Sequence, residues 1–169
     1  MTIHSEHPFL DPEADPVRRF RGRLGGTVTL WTSGSAERRA GLTLSSVMVA
    51  GGEPGRALGL VDPDSDLREV LAETGRAVVH LLAWEHRDLA EAFAGQLPSP
   101  GGPFRMGDWE DTSHGPRLVT APSWMTVEVE SGEGVGWSDL VVARIVDVVL
   151  GEDEHPLEHR RGRYRLPGA

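Results

Sequence analysis

From Gly26 onward the apolar residues of the chain recur with a period of two, first in TVTLWTS (27–33) and then in GLTLSSVMVA (41–50). That period belongs to a half-buried strand, because successive side chains leave a strand on opposite faces. The polar segment GSAERRA between them is short enough to make the pair a hairpin. RALGLVD (56–62) reads as a third strand after the turn signalled by GGEPG, and AVVHLLA (77–83) as a fourth. Two long strands, RLVTAPSWMTVEVES (117–131) and SDLVVARIVDVVLGE (138–152), flank the glycine-bearing turn GEGVGW, and a short closing segment ends at RGRYRLPGA.

Helices punctuate the strands at places marked by capping chemistry. Asp15 followed by Pro16 opens a short arginine-rich helix that closes at Gly25-Gly26. Asp64 and Ser65 can cap a second, with Leu67, Val70 and Leu71 as its apolar stripe and Gly75 as its end. The third is HRDLAEAFAG (86–95), where Leu89, Ala92 and Phe93 share a face and Gly95 stops the helix. Six or so strands against three helices, joined mostly by hairpin-length links, predict a mainly β fold with flanking helices, an antiparallel sheet or barrel. Residues 1–14 lack apolar periodicity and are read as a flexible N-terminal arm, leaving 15–169 as a single domain. Residues 96–116 hold four of the 12 prolines and no period; that length suits a working loop or lid.

Composition removes several kinds of chemistry. All 17 basic residues are Arg, so Schiff-base catalysis and the P-loop lysine are excluded. With no Cys there is no thiolate nucleophile, disulfide or iron–sulfur cluster, and the single Tyr, Tyr164, without a lysine cannot form a tyrosine–lysine proton relay. Histidine or carboxylate catalysis, a hydroxyl nucleophile, or a cofactor that carries the chemistry itself remain. A net charge of -9 opposes nucleic-acid binding. The clusters Arg18, Arg19, Arg21, Arg23 and Arg160, Arg161, Arg163, Arg165 are read as solvated faces or ion-pair partners. The acidic, proline-broken N-terminus has no apolar core for a secretory signal or membrane span, so a cytoplasmic location is expected.

Among candidate sites, Ser45 and Ser46 lack a GxSxG elbow, and GGEPGRALG does not fit a dinucleotide fingerprint. His155 and His159 stand four apart among carboxylates, but Pro156 interrupts the helix that would align them, so no metal site is expected. His80, among apolar strand residues, reads as a satisfied core or interface histidine; His86 and His114 carry no partner spacing. The polar triple Thr43, Ser45 and Ser46 is more informative, because a buried strand would show Val or Ile there; a solvated edge strand is the alternative.

Five stretches in order, VRRFRGRLGGTVTLWTS, GLTLSSVMV, ALGLVDPDSDLREVLAETGRAVVHLLAWEHRDLAEAFAG, GPRLVTAPSWMTVEVES and HPLEHRRGRYRLPG, resemble the flavin reductase family with the FMN-binding split β-barrel fold. The resemblance implies a homodimer that binds FMN or FAD, takes a hydride from NADH or NADPH, and supplies reduced flavin to a partner monooxygenase. It places Thr43, Leu44, Ser45 and Ser46 against the isoalloxazine, and Asp62 and Ser65 on the turn leading to the phosphate. Phe93 and Ala94 match a Phe-Ala pair beside the flavin, and Tyr164 falls where the barrel closes near the subunit interface. The family's Gly-Asp-His triplet is here Gly136-Trp137-Ser138, making Trp137 and Ser138 the nicotinamide-site candidates. Leu67 replaces a common Thr, Asp64 and Asp66 crowd the expected phosphate position, and only Pro54 remains of a proline pair. These departures leave a second reading open, a flavin-binding or partner-binding module without reductase activity.

Overall fold

The structure, a computed structural model, describes residues 15–168; the expected N-terminal arm lies outside them. α1 (Pro16–Leu24) begins as its sequence dictates, with the Asp15 carboxylate accepting the Val17 and Arg18 N–H groups at 3.0 and 3.1 Å. After β1 (Gly26–Thr27) the chain runs through β2 (Thr29–Ser35), β3 (Arg38–Leu44), β4 (Val47–Ala50) and β5 (Arg56–Val61), then α2 (Asp66–Thr74) and β6 (Arg76–Leu81). A 3-10 turn (Trp84–His86) leads into α3 (Arg87–Phe93) and another (Pro103–Arg105) into the hairpin β7 (Trp109–Thr112) and β8 (Gly115–Leu118). β9 (Ser123–Val135) and β10 (Ser138–Val149) form the long hairpin, and β11 (Glu158–Arg160) and β12 (Arg163–Arg165) a short closing one.

Seven strands form one antiparallel sheet in the order β3-β2-β6-β9-β10-β5-β4. Its two edges, β3 and β4, are consecutive in sequence and separated only by Ser45 and Ser46. Three Cα steps from Leu44 to Val47 reach at most about 11 Å, so the sheet must curl until its edges meet. The Ser46 carbonyl accepts the Leu60 N–H at 3.0 Å, so the β4–β5 ladder runs on into the turn that joins the two edges. Inside the curl, Trp31 of β2 packs on Gly59 of β5 so closely that a Cβ there would lie 3.0 Å from the indole. Ala57, Gly59 and Val61 face inward while Leu58 and Leu60 face outward, the alternation of a half-buried strand. Leu67, Val70 and Leu71 of α2 join Trp31, Leu44, Val127 and Val141 in this core. Ser65 caps α2 and Gly75, at φ 66°, closes it in the left-handed conformation.

A second core lies on the other face of β2, where Leu30 meets Leu82, Leu89, Ala90, Phe93 and Leu118. β2 is thus buried on both faces. His80 is sealed between these layers: its Nε2 accepts the Leu118 N–H at 2.9 Å, so Nδ1 carries the proton and donates to the Leu30 carbonyl at 2.9 Å.

Several boundaries differ from the sequence expectation. The span 41–50 is two strands, because its halves belong to opposite sheet edges, and the GSAERRA loop shrinks to the turn at Ala36-Glu37. The strand expected over 117–131 is β8 and β9, interrupted at residues 119–122. The segment 96–116 is anchored rather than free: Phe104, Met106 and Trp109 pack into the second core, and the Arg39 guanidinium lies 4.5 Å from the Phe104 ring centroid. Among the described residues no helix is long and apolar enough to cross a membrane.

Candidate functional site

Strand register gathers one end of the curled sheet. Val47 pairs with Gly59, Leu60 with Leu140, and Val61 with Asp139, while Ser138 pairs with Val135 at the tip of the long hairpin. The Ser45-Ser46 turn, Asp62, the start of α2 at Ser65, and Trp137 therefore share that end. Arg68 ties α2 to β10 through Asp139 at 2.7 Å, so this arginine is already answered by a carboxylate.

Beside the turn, a groove of about 950 Å³ runs between α1 and the outer face of β4, β5 and β10. Its floor is apolar, with Leu58, Leu60 and Leu140; its wall is basic, with Arg18, Arg19, Arg21 and Arg23 of α1 and Arg161 of the β11–β12 turn. Ser45 and Ser46 stand at its edge. A smaller cavity of about 370 Å³ shares Gly25, Ser45 and Val47 with it and extends to Glu152, Asp153 and His155. Ser45 thus separates a basic arm from an acidic one.

The other sequence-predicted residues are placed as follows. Thr43 donates its hydroxyl to the Ala90 carbonyl at 2.8 Å, and Leu44 is buried in the barrel core. Asp62 accepts the Asp64 N–H at 2.9 Å. The Ser65 hydroxyl donates to the Asp62 carbonyl at 2.7 Å and accepts the Arg68 N–H at 3.2 Å, so its single proton is committed to the turn. Phe93 is buried in the second core, edge-on to Phe104 at 4.9 Å and to Trp109 at 5.7 Å, and Ala94 caps α3. Trp137 is 54% exposed at the hairpin tip. Tyr164 lies edge-on to His159, with ring centroids 5.5 Å apart. Burial and the neighbouring Glu91 carboxylate push its hydroxyl up to about 12, so it stays protonated at neutral pH. Residues 96–116, expected as a lid, contribute nothing to the lining of either cavity.

Sequence reasoning missed the groove's basic wall and His159. Both arginine clusters were visible, but they stand at opposite ends of the chain; the fold joins them through the Arg161 N–H to Gly22 carbonyl bond of 2.9 Å. His159 lines the groove, and burial pushes its pKa down from the usual histidine value, opposed by Glu91. His86 is also pushed down by burial; its Nδ1 accepts the Ala83 N–H and its Nε2 donates to the Thr120 hydroxyl. Among the described residues no group of three or more His, Asp or Glu is placed to hold a metal ion.

The profile of the flavin reductase like domain matches residues 21–167. The chain belongs to the flavin reductase like domain family. Within curated members of related function, it is 29% identical over 151 residues to FMN reductase (NADH) RutF of Ancylobacter novellus, covering 89% of this chain and 83% of that one. It is 24% identical over 160 residues to the 4-hydroxyphenylacetate 3-monooxygenase reductase component of Pseudomonas aeruginosa, covering 93% and 94%. Among solved structures the fold matches the flavin reductase PheA2 with a TM-score of 0.80 at 20% identity, covering 95% of this chain and 100% of that one. The seam that closes the curled sheet at Ser45-Ser46 is thus part of a flavin reductase like fold.

Proposed function

We propose that the chain is an NAD(P)H-dependent flavin reductase, passing a hydride from NADH or NADPH to FMN or FAD and supplying reduced flavin to a partner monooxygenase. The observation that carries this reading is the groove at the Ser45-Ser46 turn. Its donor set fits a flavin: an apolar floor for a planar ring, a pair of hydroxyls for its polar edge, and guanidinium groups for its phosphate. The names of its relatives, an FMN reductase (NADH) and a monooxygenase reductase component, support the same activity and role.

When bound, the flavin ring supplies the hydride-accepting chemistry. Ser45 and Ser46 orient the ring's polar edge, with Thr43 and Leu44 fixing the strand behind them. Asp62 and Ser65 shape the turn alongside, and Trp137 and Ser138 offer the nicotinamide a surface at the hairpin tip. Phe93, Ala94 and Tyr164 act from behind, by holding α3 and the closing hairpin in place. With Tyr164 held protonated and no Lys or Cys in the chain, orientation supplies most of the rate.

The enzyme works as a cytoplasmic homodimer. Support for the dimer comes from the free edge of β4, where Met48 and Val49 are exposed, and from Val148, Val149 and Leu150 at the end of β10. An unpaired edge beside exposed apolar residues is a surface that a second copy would cover.

The test is anaerobic oxidation of NADH and NADPH with added FMN or FAD, alongside flavin titration by fluorescence quenching. Bleaching of the flavin at the expense of the nicotinamide is the expected result. Saturable flavin binding without turnover would instead favour the binding-module reading, to which Gly136-Trp137-Ser138 lends support.

A further inference from the structure

α1 is joined to the barrel by the side that carries Gly22. The Gly22 carbonyl accepts the Arg161 N–H at 2.9 Å, and a Cβ on Gly22 would lie 3.7 Å from the Arg161 Cα. At about 100° per residue, Val17, Phe20 and Leu24 share an arc of about 60° whose centre lies about 170° from Gly22. The apolar stripe of α1 therefore points away from the body. Val17, Phe20 and Leu24 are 76%, 68% and 71% exposed, and Val17 and Phe20 line neither cavity. A surface helix normally turns such a stripe toward a core, so this one lacks its cover.

A second uncovered surface ends β10. Val148, Val149 and Leu150 are exposed, Leu150 to 78%, and the chain runs from them into exposed Glu152, Asp153 and Glu154. The two surfaces are opposite in charge. Arg21 and Arg23 border the α1 stripe, about 40° from Val17 and about 60° from Phe20 around the helix. Among the described residues neither these arginines nor the three carboxylates form an ion pair. Both surfaces lie on one side of the molecule, because Gly25 at the end of α1 lines the same cavity as Glu152 and Asp153. Their exposure shows that they do not cover each other within one chain.

We infer that the α1 stripe of one copy docks on the β10 end of a second copy, with the reciprocal contact made by the second copy's own α1. A two-fold interface must be self-complementary, each surface meeting the other across the axis, and an apolar stripe edged with arginine beside an apolar strand end edged with carboxylates meets that condition. The exposed Met48 and Val49 of β4 lie between the two surfaces, Val49 in the smaller cavity and Met48 in the groove, so the apolar face is continuous. The inference rests on the proposed homodimer and assigns its surfaces.

The test is sedimentation velocity of the full chain over a range of concentrations, with the fold of each variant checked by circular dichroism. The double variants Val17→Ser, Phe20→Ser and Val148→Ser, Leu150→Ser change exposed side chains only, and each should raise the dimer dissociation constant about tenfold or more. Phe20→Asp and Leu150→Arg should each weaken the dimer, by setting like charges against each other across the interface, and the two together in one chain should recover part of the loss. An unchanged dissociation constant in the α1 variants overturns the inference and leaves a homodimer built on the β4 edge alone. Losses that simply add, with no recovery in the combined variant, overturn the contact between the two surfaces. A chain monomeric at every concentration overturns both the inference and the homodimer, and one that dimerises only after removal of residues 1–14 overturns the inference by giving the stripe to that segment. Binding of a monomeric chain to vesicles of phosphatidylserine and phosphatidylcholine through Phe20 would make the stripe a lipid contact and overturn it equally. Flavin reduction, assayed separately, is untouched by any of these outcomes.

Discussion

His80 gives the fold a measurable acid sensitivity. Both ring nitrogens are used in the neutral form, one as donor to the Leu30 carbonyl and one as acceptor from the Leu118 N–H. A second proton on Nε2 would point at an N–H group, inside a site with no exposed surface. Burial accordingly pushes the ring down from 6.5 to about 4; the Leu30 carbonyl opposes the shift and the charges of Arg117 and His86 add to it. In the unfolded chain the ring titrates near its ordinary value. The neutral folded ring therefore contributes its full stability above about pH 6.5, and that contribution is lost as pH falls toward about 4. At 1.36 kcal/mol per unit, the shift amounts to about 3 kcal/mol. His80→Leu removes the titration but strands the buried Leu118 N–H, a loss of about 1–3 kcal/mol at neutral pH. Urea unfolding of both proteins at one fixed concentration, stepped from about pH 7.5 to about pH 4, reads the difference. Wild type should be the more stable at neutral pH and should lose that advantage, or fall below the variant, at the acid end. Carboxylates and the other histidines titrate in both proteins and cancel. Parallel stability profiles would refute the reasoning.

Two other outcomes follow from single contacts. A Cβ on Gly41 would lie 2.7 Å from the Phe93 ring, which is itself packed edge-on with Phe104 and Trp109, so Gly41→Ala should destabilise by about 1–3 kcal/mol in a thermal melt. Pairing it with Phe93→Leu should recover part of the loss, and a neutral Gly41→Ala would show that the aromatic cluster yields freely. Because Tyr164 is the single tyrosine, its ionisation can be followed by ultraviolet absorbance: the folded midpoint should lie near 12. Its stabilising contribution is then present below the unfolded value of about 10 and lost as pH rises above it; a folded midpoint near 10 would remove Glu91 and burial as the cause.

Features decided by neighbours in sequence were legible before the structure. The caps at Asp15, Ser65 and Gly75 lie where their chemistry places them, because a helix end is satisfied within a few residues. The alternation of 56–62 likewise reports a surface the strand makes by itself, whereas that of 27–33 misreads β2 as half-buried: it is covered on both faces, with the Thr29 and Thr32 hydroxyls donating to the Leu44 and Pro116 carbonyls. The break at Ser45-Ser46 was visible as two adjacent polar residues that interrupt the alternation, but the same pair also suits a solvated edge strand, so sequence alone does not read it as a strand end. What ends the strand is its change of partner, from β2 before the serines to β5 after them, with Trp31 packed on Gly59 inside the curl. Phe104, Met106 and Trp109 escaped for another reason: each anchors its segment singly, so no period marks them.

The groove lies at the far end of this scale. Its floor comes from the outward-facing residues of β5 and β10, which alternation alone reads as a solvated face. Its wall comes from a helix that buries none of its own side chains and from a turn near the other end of the chain. Local patterns report only what a segment does for its own burial, and α1 does almost nothing for its own. Its arginines therefore look like ordinary solvated charge until the Arg161–Gly22 bond brings the two ends of the chain together over the barrel.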